Sequence, residues 1–262
     1  MRAMNIRVFT GSGGITQLKA SFKKNWKHYL REALGLAIFM ISACFFSGML
    51  EAKTSSWHLA ITNDFTRLLM MGVLMGSTAI LIFYLPLTAP SGTHINPAVT
   101  IAFLRVGKMC KWDALFYVVF QFIGGIVAVY GMSLLMDKTL TAAPVFCAIT
   151  RPGRFGIPSA AITEFIIAFV MMAMVMFTAF DKWWEKYTRI ISGCLVCLFV
   201  IVAGPVSGFG MNPARSLASA LPAHMYPAFW IYLIMPIAGM LAGTEFFLLV
   251  HRKTGKPGNN LV

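Results

Sequence analysis

Two copies of one short polar stretch, each set between apolar runs long enough to cross a membrane, limit what this 262-residue chain can become. Asn96-Pro97-Ala98 lies in the first half, and Asn212-Pro213-Ala214 repeats it 116 positions later. Copies in matching places indicate a two-fold internal repeat. Asn is a good N-cap and Pro is tolerated at the first helical position, so each copy opens a helix. Over 97–105 and 213–220 such a helix covers about 12–14 Å at ~1.5 Å per residue, roughly half of a ~30 Å hydrocarbon core. One copy alone would read as a proline-punctuated surface loop. Two copies in an apolar chain read as re-entrant half-helices, the broken-helix pattern that marks a substrate path. Irregular backbone at that depth survives only where protein buries it or water lines it.

The rest of the chain supplies the walls. With 58% hydrophobic and 12% charged residues and a mean hydropathy of +0.74, it suits a polytopic membrane protein and not a soluble domain. Six spans are predicted, at about 32–50, 68–87, 112–136, 159–180, 189–206 and 226–250. Trp112 stands as an interfacial anchor at the start of the third. Residues 51–67 read as a polar loop. The longest loop, 137–158, carries Pro144, Pro152, Gly153, Gly156 and Pro158, which argue against regular structure and for a link between the repeats. Repeat one is then about 32–136 and repeat two about 159–250, with tails at 1–31 and 251–262.

The net charge of +13 is unevenly placed. Residues 1–31 hold seven Lys or Arg and no acid, a pattern that nucleic acid or anionic lipid would also attract. Directly before a span, the positive-inside rule explains it, and no nucleic-acid partner is expected. Six spans put both ends on one side, where tails and turns carry sixteen Lys and Arg against six on the other, so both termini are expected to be cytoplasmic, in the plasma membrane.

The residues around the two motifs resemble the aquaporins, of the major intrinsic protein family. The resemblance rests on Ser91-Gly92-Thr93-His94-Ile95-Asn96-Pro97-Ala98-Val99-Thr100 and Ser207-Gly208-Phe209-Gly210-Met211-Asn212-Pro213-Ala214-Arg215-Ser216. Glu32, Gln121-Phe122-Ile123-Gly124-Gly125, Glu164 and Phe229-Trp230 support it, so that it covers about 30–250. It implies an all-α membrane fold of six transmembrane helices and two half-helices in an inverted repeat, and a homotetramer with one pore per subunit. Gly35, Gly124, Gly125, Gly239 and Gly243 would allow close helix packing, within or between subunits.

The implied function is a passive pore for water. Opposed half-helix N-termini repel cations, while Asn96 and Asn212 cap their helices and offer amide N–H donors to passing water. Arg215 would be a costly charge in a membrane unless it faced a wet path, so it is read as a pore-lining donor; a rim arginine snorkelling to headgroups is the alternative. Glu32 and Glu164 fall near the starts of spans one and four. The resemblance gives them support of the re-entrant loop backbone, with His94 and Gln121 beside them. By the family's alignment the other filter positions fall on Gly76, Val200 and Phe209. Small or apolar residues there predict a wide filter that passes glycerol or urea as well as water. A strict water channel is the alternative.

Other classes fare poorly. The five His are scattered, and no catalytic constellation, cofactor or metal site is expected. Cys194-x-x-Cys197 lies within a span and reads as embedded thiols rather than a redox or zinc motif. A secondary transporter could also use broken helices, but ion coupling needs acids at the midplane, and apart from Glu32 and Glu164 near span ends and Glu245 in the last span the spans carry none placed to do this.

Overall fold

The computed structural model describes residues 14–253; residues 1–13 and 254–262, with Arg2, Arg7 and Lys256, lie outside them. Helices follow one another as α1 (Gly14–Glu51), α2 (Ser56–Ala60), α3 (Asp64–Tyr84), α4 (Pro97–Arg105), α5 (Lys111–Met136), α6 (Lys138–Thr141), α7 (Gly156–Ala179), α8 (Thr188–Ser207), α9 (Pro213–Ala223) and α10 (Trp230–Lys253). Six of them, α1, α3, α5, α7, α8 and α10, are long and apolar enough to cross a membrane. Their outward faces are apolar, with Val127, Leu134 and Leu135 exposed, as a lipid-facing wall requires.

The halves interlock. In the first, α1 lies along α5; in the second, α7 lies along α10; α3 crosses α8 between them. The half-helix α4 packs on α10 of the other half, and α9 on α5. Glycines make these crossings close. A Cβ on Gly124 would stand 2.1 Å from the Ala33 carbonyl oxygen, and one on Gly239 or Gly243 would stand 2.3 or 2.6 Å from the carbonyl oxygens of Phe165 or Phe169. Gly35 and Gly125 likewise face Ile95 and Ala218. All five glycines therefore pack inside one subunit.

Local chemistry accounts for the helix ends. Asn63 caps α3, its Oδ1 accepting from the Thr66 N–H at 2.9 Å, and α3 stops at Tyr84 because Leu85 must be extended before Pro86. Arg67 sits in the first turn of α3 and not in a polar loop: it is buried, pairs with Asp64 and lies 3.6 Å from Glu51, and donates to the Ile61 carbonyl at 2.7 Å. The link is partly ordered too, with α6 and a 3-10 turn at Phe146–Ala148. It is held against the second re-entrant loop, since Gly153 N–H donates to the Val206 carbonyl at 2.9 Å and a Cβ on Gly208 would meet the backbone of Arg151 at 2.9 Å.

The first span departs most from expectation. Helix α1 begins at least eighteen residues before position 32, at Gly14, because residues 15–34 contain neither Gly nor Pro to end it. The extension is docked on α5. Ser21 Oγ, Asn25 Nδ2 and Tyr29 OH donate to Asp113 Oδ1 at 2.5, 3.0 and 2.5 Å, and Tyr29 stacks on Phe116 with ring centroids 5.0 Å apart. Glu32 consequently lies in mid-helix, fully buried, and not at the start of a span.

Candidate conduction pathway

Each half-helix starts on its motif asparagine. Asn96 Oδ1 accepts from the Ala98 N–H at 2.9 Å, and Asn212 Oδ1 from those of Ala214 and Arg215 at 3.0 and 3.2 Å. The amide nitrogens reach across the repeat: Asn96 Nδ2 donates to the Met211 carbonyl at 2.8 Å, and Asn212 Nδ2 to the Ile95 carbonyl at 2.7 Å. A side-chain amide carries two N–H donors, so one on each Asn is left over from this tie. The two helix N-termini thus meet face to face, positive ends converging.

The loops leading into them need support, because alternate residues occupy the left-handed region. Thr93 and Ile95 have φ of 49° and 43°, and Phe209 and Met211 both have 50°. For side chains of this bulk such a conformation costs on the order of 1–3 kcal/mol each and persists only when neighbours impose it. Two buried carboxylates impose it. Glu32 accepts from the N–H groups of His94 and Ile95 at 3.1 and 2.6 Å, from Ser91 Oγ at 2.7 Å and from Gln121 Nε2 at 2.8 Å. Glu164 accepts from the N–H groups of Gly210 and Met211 at 2.8 and 2.6 Å and from Ser207 Oγ at 2.6 Å. Tyr117 and Tyr232 finish the pattern, each hydroxyl donating at 2.7 Å to the carbonyl of Ser91 or Ser207.

The two supports differ in one respect. Gln121 also donates to Thr100 Oγ1 at 3.1 Å, and His94 Nδ1 lies 3.3 Å from that hydroxyl while its ring stacks on Phe103 at 4.7 Å. In the second half Ser216 takes the place of Thr100, and its buried hydroxyl has no partner among the described residues.

Three cavities join end to end past these loops. The central one, about 110 Å³, is lined by the loop residues, including both motif asparagines. On the side of the link it meets a cavity of about 390 Å³ at a neck shared by Phe39, Phe209 and Arg215. On the side of the described chain ends it meets one of about 600 Å³ at a neck shared by Gly92, His94, Phe103 and Arg189. A water needs about 10–15 Å³ of such space, so the middle compartment has room for only a few waters. No carboxylate lines it. Arg215 Nη1 is buried at the link-side neck without a hydrogen-bond partner among the described residues, which leaves a donor for whatever occupies the neck.

Residues 19–247 match the model of the major intrinsic protein family. The chain belongs to that family. It is 38% identical over 168 residues to an NIP-type aquaporin of Nicotiana alata, covering 64% of this chain and 60% of that one. It is 36% identical over 192 residues to aquaporin NIP1-2 of Arabidopsis thaliana, covering 71% of this chain and 64% of the relative. The alignments thus span under two thirds of the length of these relatives. The fold is similar to the X-ray structure of the aquaglyceroporin from Plasmodium falciparum, with a TM-score of 0.68 at 19% identity, covering 90% of this chain and 99% of the other.

Within this major intrinsic protein the four filter candidates separate. Phe209 and Arg215 stand at the link-side neck, and Val200 lines the link-side cavity on α8. Gly76 does not line the path, and its assignment is corrected. It faces α8, where a Cβ would come within 2.7 Å of Cys197 Cβ and 2.8 Å of the Gly193 carbonyl oxygen. One residue earlier on α3, about 100° around the helix, Met75 is buried and lines the link-side cavity together with Met71. Met75, Phe39, Tyr117, Tyr232 and Arg189 carry no motif of their own. Arg189 alone had a usable signal, as a charge at the very start of an apolar span.

Proposed function

We propose that this chain forms a passive channel for water and small neutral solutes that excludes cations. The observation that carries this reading is the path through three adjoining cavities, smallest in volume where the half-helix N-termini, Asn96 and Asn212 converge and with Arg215 at one neck. A water in the central compartment finds N–H donors from both asparagines and so offers them its oxygen. Its hydrogens then point away to either side, which interrupts a proton wire. Cations meet converging positive dipole ends and no carboxylate to replace their hydration. The same absence of lining acids in the central cavity weighs against an ion-coupled transporter, which has to bind its ion there.

The solute range turns on Met75. A wide filter no longer follows from Gly76, but an unbranched, flexible Met beside Val200 and Phe209 closes space less firmly than an aromatic ring. Glycerol and urea are therefore expected to pass with water, carbon atoms against the apolar wall and oxygens toward Arg215. Stopped-flow light scattering on proteoliposomes tests this. Met75→Phe should cut glycerol flux about tenfold, some 1.4 kcal/mol of added barrier, while water flux stays within a factor of about two. Wild-type glycerol and urea rates equal to those of empty liposomes would favour the strict water channel instead.

Assembly and orientation complete the proposal. With its five span glycines buried inside the subunit, the homotetramer is supported by the family alone, and its contacts fall to the exposed apolar faces. Native mass measurement in mild detergent is expected to give four copies; a monomer as the sole species would remove the claim. The sixteen-to-six distribution of Lys and Arg supports cytoplasmic termini in the plasma membrane, facing anionic lipid. Protease added outside sealed cells should then leave both tails intact.

A further inference from the structure

Both necks of the path carry an arginine, and only one of them belongs to a half-helix motif. Arg189, the second residue of α8, is partly buried where the central and chain-end cavities meet, beside Phe103 and His94. Its guanidinium lies over the Tyr84 ring at 5.2 Å, a contact that does not use its N–H donors in a hydrogen bond. Among the described residues it has no ion pair or hydrogen bond. Lys108, Lys182 and Glu185 also line the chain-end cavity and Arg151 and Glu51 the link-side one, but of the described charged residues only Arg189 and Arg215 border the central compartment as well. Arg67 is tied to Asp64 and Glu51, and Arg105 pairs with Glu245 at 2.6 Å on the outside of the bundle. An arginine without an acid partner, bordering the junction of two compartments, can act as an electrostatic barrier and a donor site together.

We infer that Arg189 makes the chain-end neck a second selectivity point, in series with Arg215. It would repel cations independently and offer a planar fork of N–H donors to neutral solutes with acceptor oxygens, such as polyols and amides. A solute then exchanges hydrogen bonds three times on its way, with one arginine, the paired asparagines and the other arginine. A cation faces two separated positive barriers. The inference rests on the channel reading above and adds a residue that the duplicated motifs do not mark. In a series path the higher barrier sets the leak. Arg215, whose Nη1 is buried without a partner among the described residues, is taken as that barrier, so the contribution of Arg189 to ion exclusion shows only once Arg215 is gone.

The test uses the full-length protein in proteoliposomes, reading water, urea and potassium flux for wild type, Arg189→Ser, Arg189→Lys, Arg215→Val and the double variants built on Arg215→Val. Expected are wild-type potassium tightness for Arg189→Ser alone, and urea flux changed at least threefold with water within about twofold. Potassium leak through Arg215→Val/Arg189→Ser should be at least tenfold above that of Arg215→Val, whereas Arg215→Val/Arg189→Lys stays at the single-variant level because the charge is kept. Equal leaks in Arg215→Val and Arg215→Val/Arg189→Ser, with normal wild-type water flux, overturn the role of Arg189 and leave the channel reading standing. No wild-type water flux above empty liposomes removes both. Should Arg215→Val fail to assemble, Arg189→Ser alone decides, and unchanged urea flux overturns the inference.

Discussion

Replacing Glu164 by Ala is expected to abolish water flux and to lower the melting temperature in detergent by about 6–20 °C. The carboxylate is fully buried and takes three hydrogen bonds, two of them from consecutive backbone N–H groups of a loop held at left-handed φ. Removing it leaves Gly210 N–H, Met211 N–H and Ser207 Oγ with no acceptor in a water-poor interior. Losing one partner from such a buried charged network typically costs about 3–5 kcal/mol. At roughly 2–4 °C per kcal/mol for a chain of this size, that gives the expected shift. Glu32→Ala should be at least as damaging, because Glu32 holds four donors. Glu164→Gln keeps one acceptor oxygen but turns an NH₂ toward donors, so it should fall between Ala and wild type. Wild-type melting and flux in both alanine variants would mean that the loops hold their shape without the carboxylates.

The same carboxylates mark how far the sequence could be read. The duplicated Asn-Pro-Ala, flanked by apolar runs, is enough to place the half-helices, because N-cap and N1 preferences act within three residues; α4 spans Pro97–Arg105 as its sequence alone suggests. The six spans are legible for the same reason of local composition, with ends shifted by a few residues wherever Asn63 or Pro86 rather than hydropathy decides. Long-range register is another matter. Placing a filter residue by counting back from Asn96 to Gly76 passes through the irregular stretch that follows Tyr84, where a 3-10 turn at Ala89–Ser91 resets the count. One residue of error rotates a helix by about 100°, which separates the lumen-facing Met75 from the Gly76 that meets Gly193 and Cys197. Basic composition makes residues 1–31 read as a tail, yet a run with no breaker, two of whose aromatics dock on α5, stays helical and so puts Glu32 in mid-helix. Tyr117 and Tyr232 lie in apolar spans, and nothing within a few residues of either tells that its hydroxyl closes a loop; only the fold brings each to a serine carbonyl 26 or 25 residues away in the chain.

Arg215→Val is expected to keep water flux within about twofold of wild type while potassium and proton leak rise by one to two orders of magnitude. A fixed charge about 5 Å from a passing cation, at an effective dielectric constant of about 20, opposes it by about 3 kcal/mol, on the order of a hundredfold in rate. Water carries no charge and loses only one hydrogen-bond donor at the neck, so its barrier moves little. The rise stops short of free conduction because the half-helix N-termini still converge on Asn96 and Asn212 and the chain-end neck still carries Arg189. Arg215→Lys separates charge from geometry. It should stay tight to potassium, since the charge remains, and should slow urea, since a compact ammonium does not reproduce the planar fork that pairs with a carbonyl oxygen. Fluorescent potassium and pH indicators inside proteoliposomes, with water flux measured on the same preparation, read all of these quantities. Unchanged potassium and proton leak in Arg215→Val, at normal water flux, would place the ion barrier at the paired half-helix ends and not at the arginine.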